Sequence, residues 1–253
     1  VLLPLKKIPQ YQFQVTRGSR KEKFFDAYAC PCQITEIEER AFCAGVYYKA
    51  YEKLGAHPME IDGIKGTYFA VWAPNAMRVS VVGDFDRWDG IRLPMHRMPM
   101  SGIFELFVPG VKSGSAYQYE IKVKGGEVHR KSDPYGNGTQ EAPSVISVVE
   151  DLQGFSWKDE AWLEERKKYD SRMVPVSIFE TELSQWKNPG ELVKFVKDTG
   201  YTHVEFHPVM EYLNEESKGY STSAYYAPTR RFGSPADFQK LVDDLHAESV
   251  GVI

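Results

Sequence analysis

The rhythm of apolar residues changes once along this chain, near Pro175, and that change constrains the fold more than any other feature. Beyond it, "VSIFETEL", "THVEFHPV" and "SVGVI" read as strands, separated by "NPGELVKFVKDTG" and "SPADFQKLVDDLHAE", which read as helices. The first helix has Asn188 as N-cap, Pro189 at its first position, Glu191 in its first turn and Gly200 just past its end, where each residue type is favoured. The second opens on Ser234 and Pro235, and Phe238, Leu241, Val242 and Leu245 fall on one helical face. A β-α-β-α-β order implies a parallel sheet with right-handed crossovers. Such a sheet is stable when both faces are covered. Here the coverage stops with Ile253, so further residues are expected after it.

Before Pro175 the period is two. In "AYQYEIKVKGGEV", Tyr117, Tyr119, Ile121 and Val123 share one face, while Gln118, Glu120, Lys122 and Lys124 share the other. Gly125 and Gly126 suit a tight hairpin turn that needs positive φ. "TYFAVWA", "RVSVVG", "IFELFV" and "SVISVV" are further short strands divided by turn residues, the pattern of a small β-sandwich. Ahead of them lie a basic patch, "TRGSRKEK", and an expected helix from Thr35 to Leu54 with Gly55 closing it. The chain thus divides into a helical lead-in over 1–65, a sandwich over 66–151, a linker over 152–174 and an α/β segment over 175–253. The fold class is multidomain, β followed by α/β.

Composition excludes several functions. An apolar fraction of 42% supports a packed core, and a net charge of -4 with mixed signs leaves no basic face for nucleic acid. No apolar run reaches the length of a membrane span, and Pro4 breaks the short apolar start, so neither a membrane anchor nor a secretory signal is expected. Cys30 and Cys32 form a C-x-C pair and Cys43 stands alone, which is neither a disulfide framework nor a zinc spacing. Reduced thiols in the cytoplasm are the expectation.

Several residues invite a chemical reading. Glu180 and Glu182 project from the same strand face, but two carboxylates on one strand do not bracket a glycosidic bond from opposite sides. His203, Glu205 and His207 resemble a metal trio by type, yet same-face neighbours on a strand stand about 7 Å apart, too far to share one ion. No metal is expected, and no Gly-rich phosphate loop opens either helix, so no cofactor is expected either. The stretch "EYLNEESKGYSTSAYYAPTRRFG" leaves the end of a parallel strand as a long loop, the place where α/β barrels build their sites. Its Tyr220, Tyr225 and Tyr226 either stack on sugar rings or pack the loop down on itself.

"YEKLGAHP", "GTYFAVWAPNA", "VVGDFDRWDG", "VSIFETELSQW", "HPVMEY" and "KGYSTSAYYAPTRRFGSPADFQKLVDDLHAESVGVI", in that order, resemble the amino-terminal part of 1,4-alpha-glucan (glycogen) branching enzymes of the alpha-amylase superfamily. The resemblance covers roughly Tyr51 to Ile253. It implies a glycogen-binding-type β-sandwich, then the first β-α-β-α-β portion of a (β/α)8 catalytic barrel, with an alpha-glucan such as glycogen or amylose as partner. It also implies a retaining transfer of an alpha-1,4 segment to a 6-hydroxyl. The nucleophilic Asp, the acid/base Glu and the assisting Asp belong to the fourth, fifth and seventh barrel strands, so no catalytic residue is expected in this chain, which is expected to be inactive alone.

Two substrate-binding residues carry over: Tyr220, matching a tyrosine that stacks on the sugar at the cleavage subsite, and Trp88, matching a sugar-binding tryptophan of related modules. The sequence departs from the family at Glu182, usually His, at Ser184–Gln185, usually Gly-Ser, at Ser221, usually Gln, and at His207, usually aliphatic. Near Trp88 the expected partner aromatic is replaced by Glu127 and Val128, which leaves packing as its other reading. The alternatives in function are a stand-alone glucan-binding or regulatory protein and a debranching or trehalose-releasing hydrolase of the same superfamily.

Overall fold

The computed structural model describes residues 10–141, 144, 146–170, 172–183, 186 and 189–253. They form two compact units, Val1–Asp133 and Pro134–Ile253.

The first unit opens with an antiparallel hairpin, β1 (Gln12–Arg17) and β2 (Arg20–Phe25), turning at Gly18. The helical lead-in thus also holds a hairpin: the basic residues of "TRGSRKEK" are strand residues beside a turn, and Phe13 pairs with Phe24 across the ribbon. Helix α1 (Glu36–Cys43) begins where expected, under a capping box of Thr35 and Glu38. It ends eleven residues before Leu54. Gly45 takes φ 72°, and Val46 N–H donates back to the Ala41 carbonyl at 3.0 Å, closing the helix in a left-handed turn. Gly55 then starts a strand instead of capping a helix.

β3 (Gly55–Ile61), β4 (Ile64–Trp72), β5 (Ala76–Gly83), β6 (His96–Arg97), β7 (Ile103–Pro109), β8 (Ala116–Val123) and β9 (Val128–Lys131) build the sandwich. One sheet has the order β3-β4-β7-β6, and in the other β8 pairs antiparallel with both β5 and β9. The β8–β9 hairpin turns at Gly125 and Gly126, both at positive φ. Between the sheets Phe69 packs edge-on against Tyr117 at 5.0 Å, while Tyr117 and Tyr119 both donate to the buried Asp133 carboxylate, at 2.8 and 3.0 Å.

Glu39 ties α1 to this sandwich. It is buried, and its Oε1 accepts from Met100 N–H at 2.8 Å and from Ser101 N–H and Oγ at 2.9 Å each. Burial pushes this carboxyl up, but the three donors outweigh it and hold it below its ordinary 4.5. A depressed folded pKa gives stability that is whole above pH 4.5 and lost as pH falls through the folded value. Glu39→Gln is therefore expected to flatten the acid side of the first unit's stability profile. An unchanged slope between pH 4.5 and acid unfolding would show that the carboxylate contributes nothing.

In the second unit β10 (Ser147–Val148) precedes helix α2 (Glu160–Lys167), which lies inside the stretch expected to be a plain linker. α2 is held to helix α4 (Pro235–Ala247): Trp162 stacks on His246 at 3.6 Å, and His246 Nδ1 lies 2.8 Å from Asp159 Oδ2. The parallel strands are β11 (Ile178–Thr181), β12 (His203–Phe206) and β15 (Gly251–Val252), paired in that order. Helix α3 (Gly190–Thr199) lies between the first two and ends at left-handed Gly200, as the sequence indicates. Pro189 is its N-cap; Asn188, with Ser184 and Gln185, lies outside the described residues. α4 starts with the Ser234–Asp237 capping box. Trp186, Val196, Val204, Leu241, Leu245 and Val250 form the buried core.

The expected long loop is ordered instead into two antiparallel strands, β13 (Met210–Tyr212) and β14 (Thr222–Pro228). Among the described residues no helix is long and apolar enough to cross a membrane.

Candidate functional site

The ends of β11 and β12 open onto a cleft of about 500 Å³ whose lining includes Glu182, His207, Tyr212, Glu215, Lys218 and Phe232. Tyr220 stands beside it with its side chain largely in solvent, and its ring meets the His207 ring edge-on at 6.5 Å. Local backbone geometry sets this placement. Asn214 caps a 3-10 turn over Glu215–Ser217, and Lys218 and Gly219 then take φ 48° and 93°. A Cβ at residue 219 would meet the Pro208 Cβ at 2.8 Å, so only glycine lets the chain pass and present Tyr220.

The frame behind this turn is a buried carboxylate that sequence reasoning missed. Glu211 on β13 is 1% exposed. Its Oε2 accepts from Thr139 Oγ1 at 3.1 Å and Arg230 N–H at 2.9 Å, and its Oε1 from Tyr212 N–H at 3.0 Å, Thr229 Oγ1 at 3.3 Å and Arg231 Nη1. The Arg231 guanidinium reaches on to Glu215 at 2.7 Å and lies over the Tyr212 ring at 4.0 Å. Burial works against its charge, but the Glu215 hydrogen bond and the attraction of Glu211 outweigh this and raise its pKa. Hydrogen bonds of this charged kind are the strong ones, so Glu211 pins Thr139, β13 and the segment Thr229–Arg231 together.

The structure brings three of the sequence-derived candidates, Glu180, Glu182 and His207, close to one cleft. Glu182 lines the cleft, whereas Glu180 is exposed on β11, with its carboxylate 3.3 Å from His207 Nε2. Glu180 sits opposite Glu205 in the parallel register. His203 is engaged by Thr202 Oγ1 at 2.9 Å and its ring crowds Gly251. Among the described residues no group of three or more His, Cys, Asp or Glu side chains is arranged to hold a metal ion. The cysteines are free thiols, and Cys32 is pushed up to about 11 by burial and by nearby Glu105, away from thiolate character.

Trp88 belongs to the first unit, on the loop after β5. Arg87 and Trp88 both adopt left-handed backbone, φ 65° and 60°. Buried Asp86 fixes them, its Oδ1 accepting from Gly83 and Trp88 N–H at 2.9 Å each. The indole N–H donates to Asp84 at 2.9 Å, and Arg130 donates to the Trp88 carbonyl at 2.8 Å. Trp88 is half-buried, with its indole N–H already satisfied. Glu127 and Val128, on the β8–β9 side, are both exposed. The ring of Tyr220 thus stands by a cleft with carboxylate, ammonium and hydroxyl groups, and that of Trp88 by a carboxylate and a guanidinium, groups suited to holding a polyhydroxylated chain.

Residues 53–136, which hold β3 to β9, match the family model of carbohydrate-binding module 48, the isoamylase N-terminal domain. A crystal structure of a putative alpha amylase from Salmonella typhimurium shares the fold, with a TM-score of 0.62 at 22% identity over 79% of this chain and 32% of that one.

Among full sequences, a 1,4-alpha-glucan branching enzyme of Cellvibrio japonicus is 43% identical over 94% of this chain and 34% of its own length. Those of Synechocystis sp. and Thermosynechococcus vestitus are 39% and 37% identical, over 100% and 99% of this chain and 37% of each relative. Over nearly all of its length the chain therefore matches the amino-terminal part of the 1,4-alpha-glucan branching enzyme family. It spans about a third of the length of these relatives.

Proposed function

We propose that these residues are the glucan-engaging front of a cytoplasmic 1,4-alpha-glucan branching enzyme. The observation that carries this reading is the identity of 37–43% along 90% or more of the chain to relatives of that name, together with the carbohydrate-binding module 48 match. In the whole protein an alpha-1,4 glucan segment is cut and transferred to a 6-hydroxyl with retention, through a covalent sugar on an Asp. The catalytic Asp, Glu and second Asp come from later strands of a (β/α)8 barrel that β11, α3, β12, α4 and β15 begin. The domain division is a sandwich up to about residue 151, a connection over 152–174 and the barrel start from 175. Tyr220 stacks on a sugar ring at the cleavage subsite, and Trp88 offers its ring to a glucan chain on the sandwich.

The test uses the 253-residue chain as it stands. Native electrophoresis through a gel containing amylopectin is expected to retard it, and Trp88→Ala and Tyr220→Ala are each expected to reduce the retardation. The same chain is expected to leave the iodine absorbance of amylose unchanged, because this reading assigns the nucleophile and the acid/base to later barrel strands. A fall in that absorbance would place the chemistry within these residues and overturn the division of labour; equal mobility with and without amylopectin would remove glucan binding.

A further inference from the structure

We infer that β14 carries a second glucan contact, built on Tyr225 and Tyr226 and separate from Tyr220; the choice of ligand rests on the reading above. The pairing of β13 with β14 is irregular: Met210 faces Pro228, but the next residue, Glu211, faces Ala224. Residues 225–227 are therefore extra to the ladder, and a bulge of this kind re-aims side chains. In a regular strand adjacent tyrosines point to opposite faces. Here both reach the surface, Tyr225 70% and Tyr226 44% exposed.

Both tyrosines line a cleft of about 280 Å³ together with Leu152, Val209, Met210 and Gln239. This lies just under the range of about 300–1,000 Å³ usual for small-ligand pockets, which fits one or two rings of a longer chain better than a whole free ligand. Tyr226 is held by Tyr135, stacked at 4.8 Å and 21°, so little side-chain freedom is lost on binding. Among the described residues no charged side chain lines this cleft. An uncharged, apolar-faced lining with one amide complements a neutral sugar polymer, whose rings present C–H faces to aromatics and hydroxyls to amides.

The position fits the same occupant. Val209 lines both this cleft and the one beside Tyr220, so the two lie on either side of one residue. A chain seated at Tyr220 and continuing past Val209 meets the tyrosine bulge next.

The experiment is amylopectin affinity electrophoresis of the 253-residue chain and four variants, with thermal melting as the control for folding. Tyr225→Ala is expected to weaken apparent affinity roughly 3- to 10-fold, the worth of one aromatic contact, at an unchanged melting temperature because the side chain is exposed. Tyr225→Phe is expected to keep most of the affinity. Tyr220→Ala is expected to add its own loss, so the Tyr220→Ala/Tyr225→Ala double variant shows the product of the two, as independent contacts do. Full retention by Tyr225→Ala, alongside a loss in Tyr220→Ala, overturns the bulge and leaves the glucan reading standing. No retardation of the unsubstituted chain overturns both.

Discussion

Glu211→Ala is expected to cost the second unit about 3–5 kcal/mol of stability, the typical loss on breaking a buried charge pair from one side. The substitution removes the acceptor for Thr139, Arg230, Tyr212, Thr229 and Arg231 at once. Arg231 keeps Glu215, but that carboxylate is exposed, so the remaining pair is weak. Glu211→Gln keeps the size and one acceptor oxygen, but loses the charge and turns an NH2 donor toward groups that now donate, and is expected to fall between wild type and alanine. Urea unfolding followed by circular dichroism checks the order. A loss below about 1 kcal/mol for alanine would mean that water replaces the carboxylate without difficulty. The same variant is expected to loosen the turn that presents Tyr220, so retardation by amylopectin falls further than the melting temperature alone accounts for.

Phe69→Ala is the counterpart in the sandwich, with an expected cost of about 3–5 kcal/mol. Phe69 is 0% exposed on β4, edge-on to Tyr117 at 5.0 Å and beside Phe85 at 6.1 Å. Its removal leaves a cavity between two sheets that are tied by backbone ladders and cannot close on it. Phe69→Leu fills most of that space and is expected to lose clearly less. The midpoint of the first unit's urea transition separates the two variants; equal midpoints would indicate that the sheets relax around the gap.

The sequence made the regular elements visible and hid the arrangements that depend on distant partners. The helix starts at Thr35 and at Ser234–Pro235, Gly200 after α3 and the Gly125–Gly126 turn are local signals, complete within a few residues, and each stands where it was expected. The length of α1 was misjudged because Gly55 competes with Gly45 as a helix end, and the bond from Val46 to Ala41 that decides between them is not written in residue type. The β1–β2 hairpin was hidden by its charge: Arg20, Lys21 and Lys23 mask the alternation of Phe13 and Val15.

Within the site, Tyr220, Tyr225 and Tyr226 were legible as aromatics in a loop, but the loop's order was not. That order comes from Glu211, whose partner Thr139 lies 72 residues away. A glutamate after a short apolar run gives no sign that five donors will converge on it. The only hint was the pair Arg230–Arg231, two cations next to an otherwise apolar "APT…FG" stretch.

The left-handed pair at Arg87 and Trp88 also governs how this loop can change over evolutionary time. Each such residue costs an L-amino acid about 1–2 kcal/mol relative to ordinary backbone, and a β-branched side chain is a rare outlier there. Valine, isoleucine and threonine are therefore strongly disfavoured as replacements at both positions, while glycine and asparagine fit more easily. A lineage that lost its need for the tryptophan would pass through those two residues first, and the turn held by Asp86 would survive the loss of the ring. The backbone of this loop is in that sense more durable than the side chain it displays.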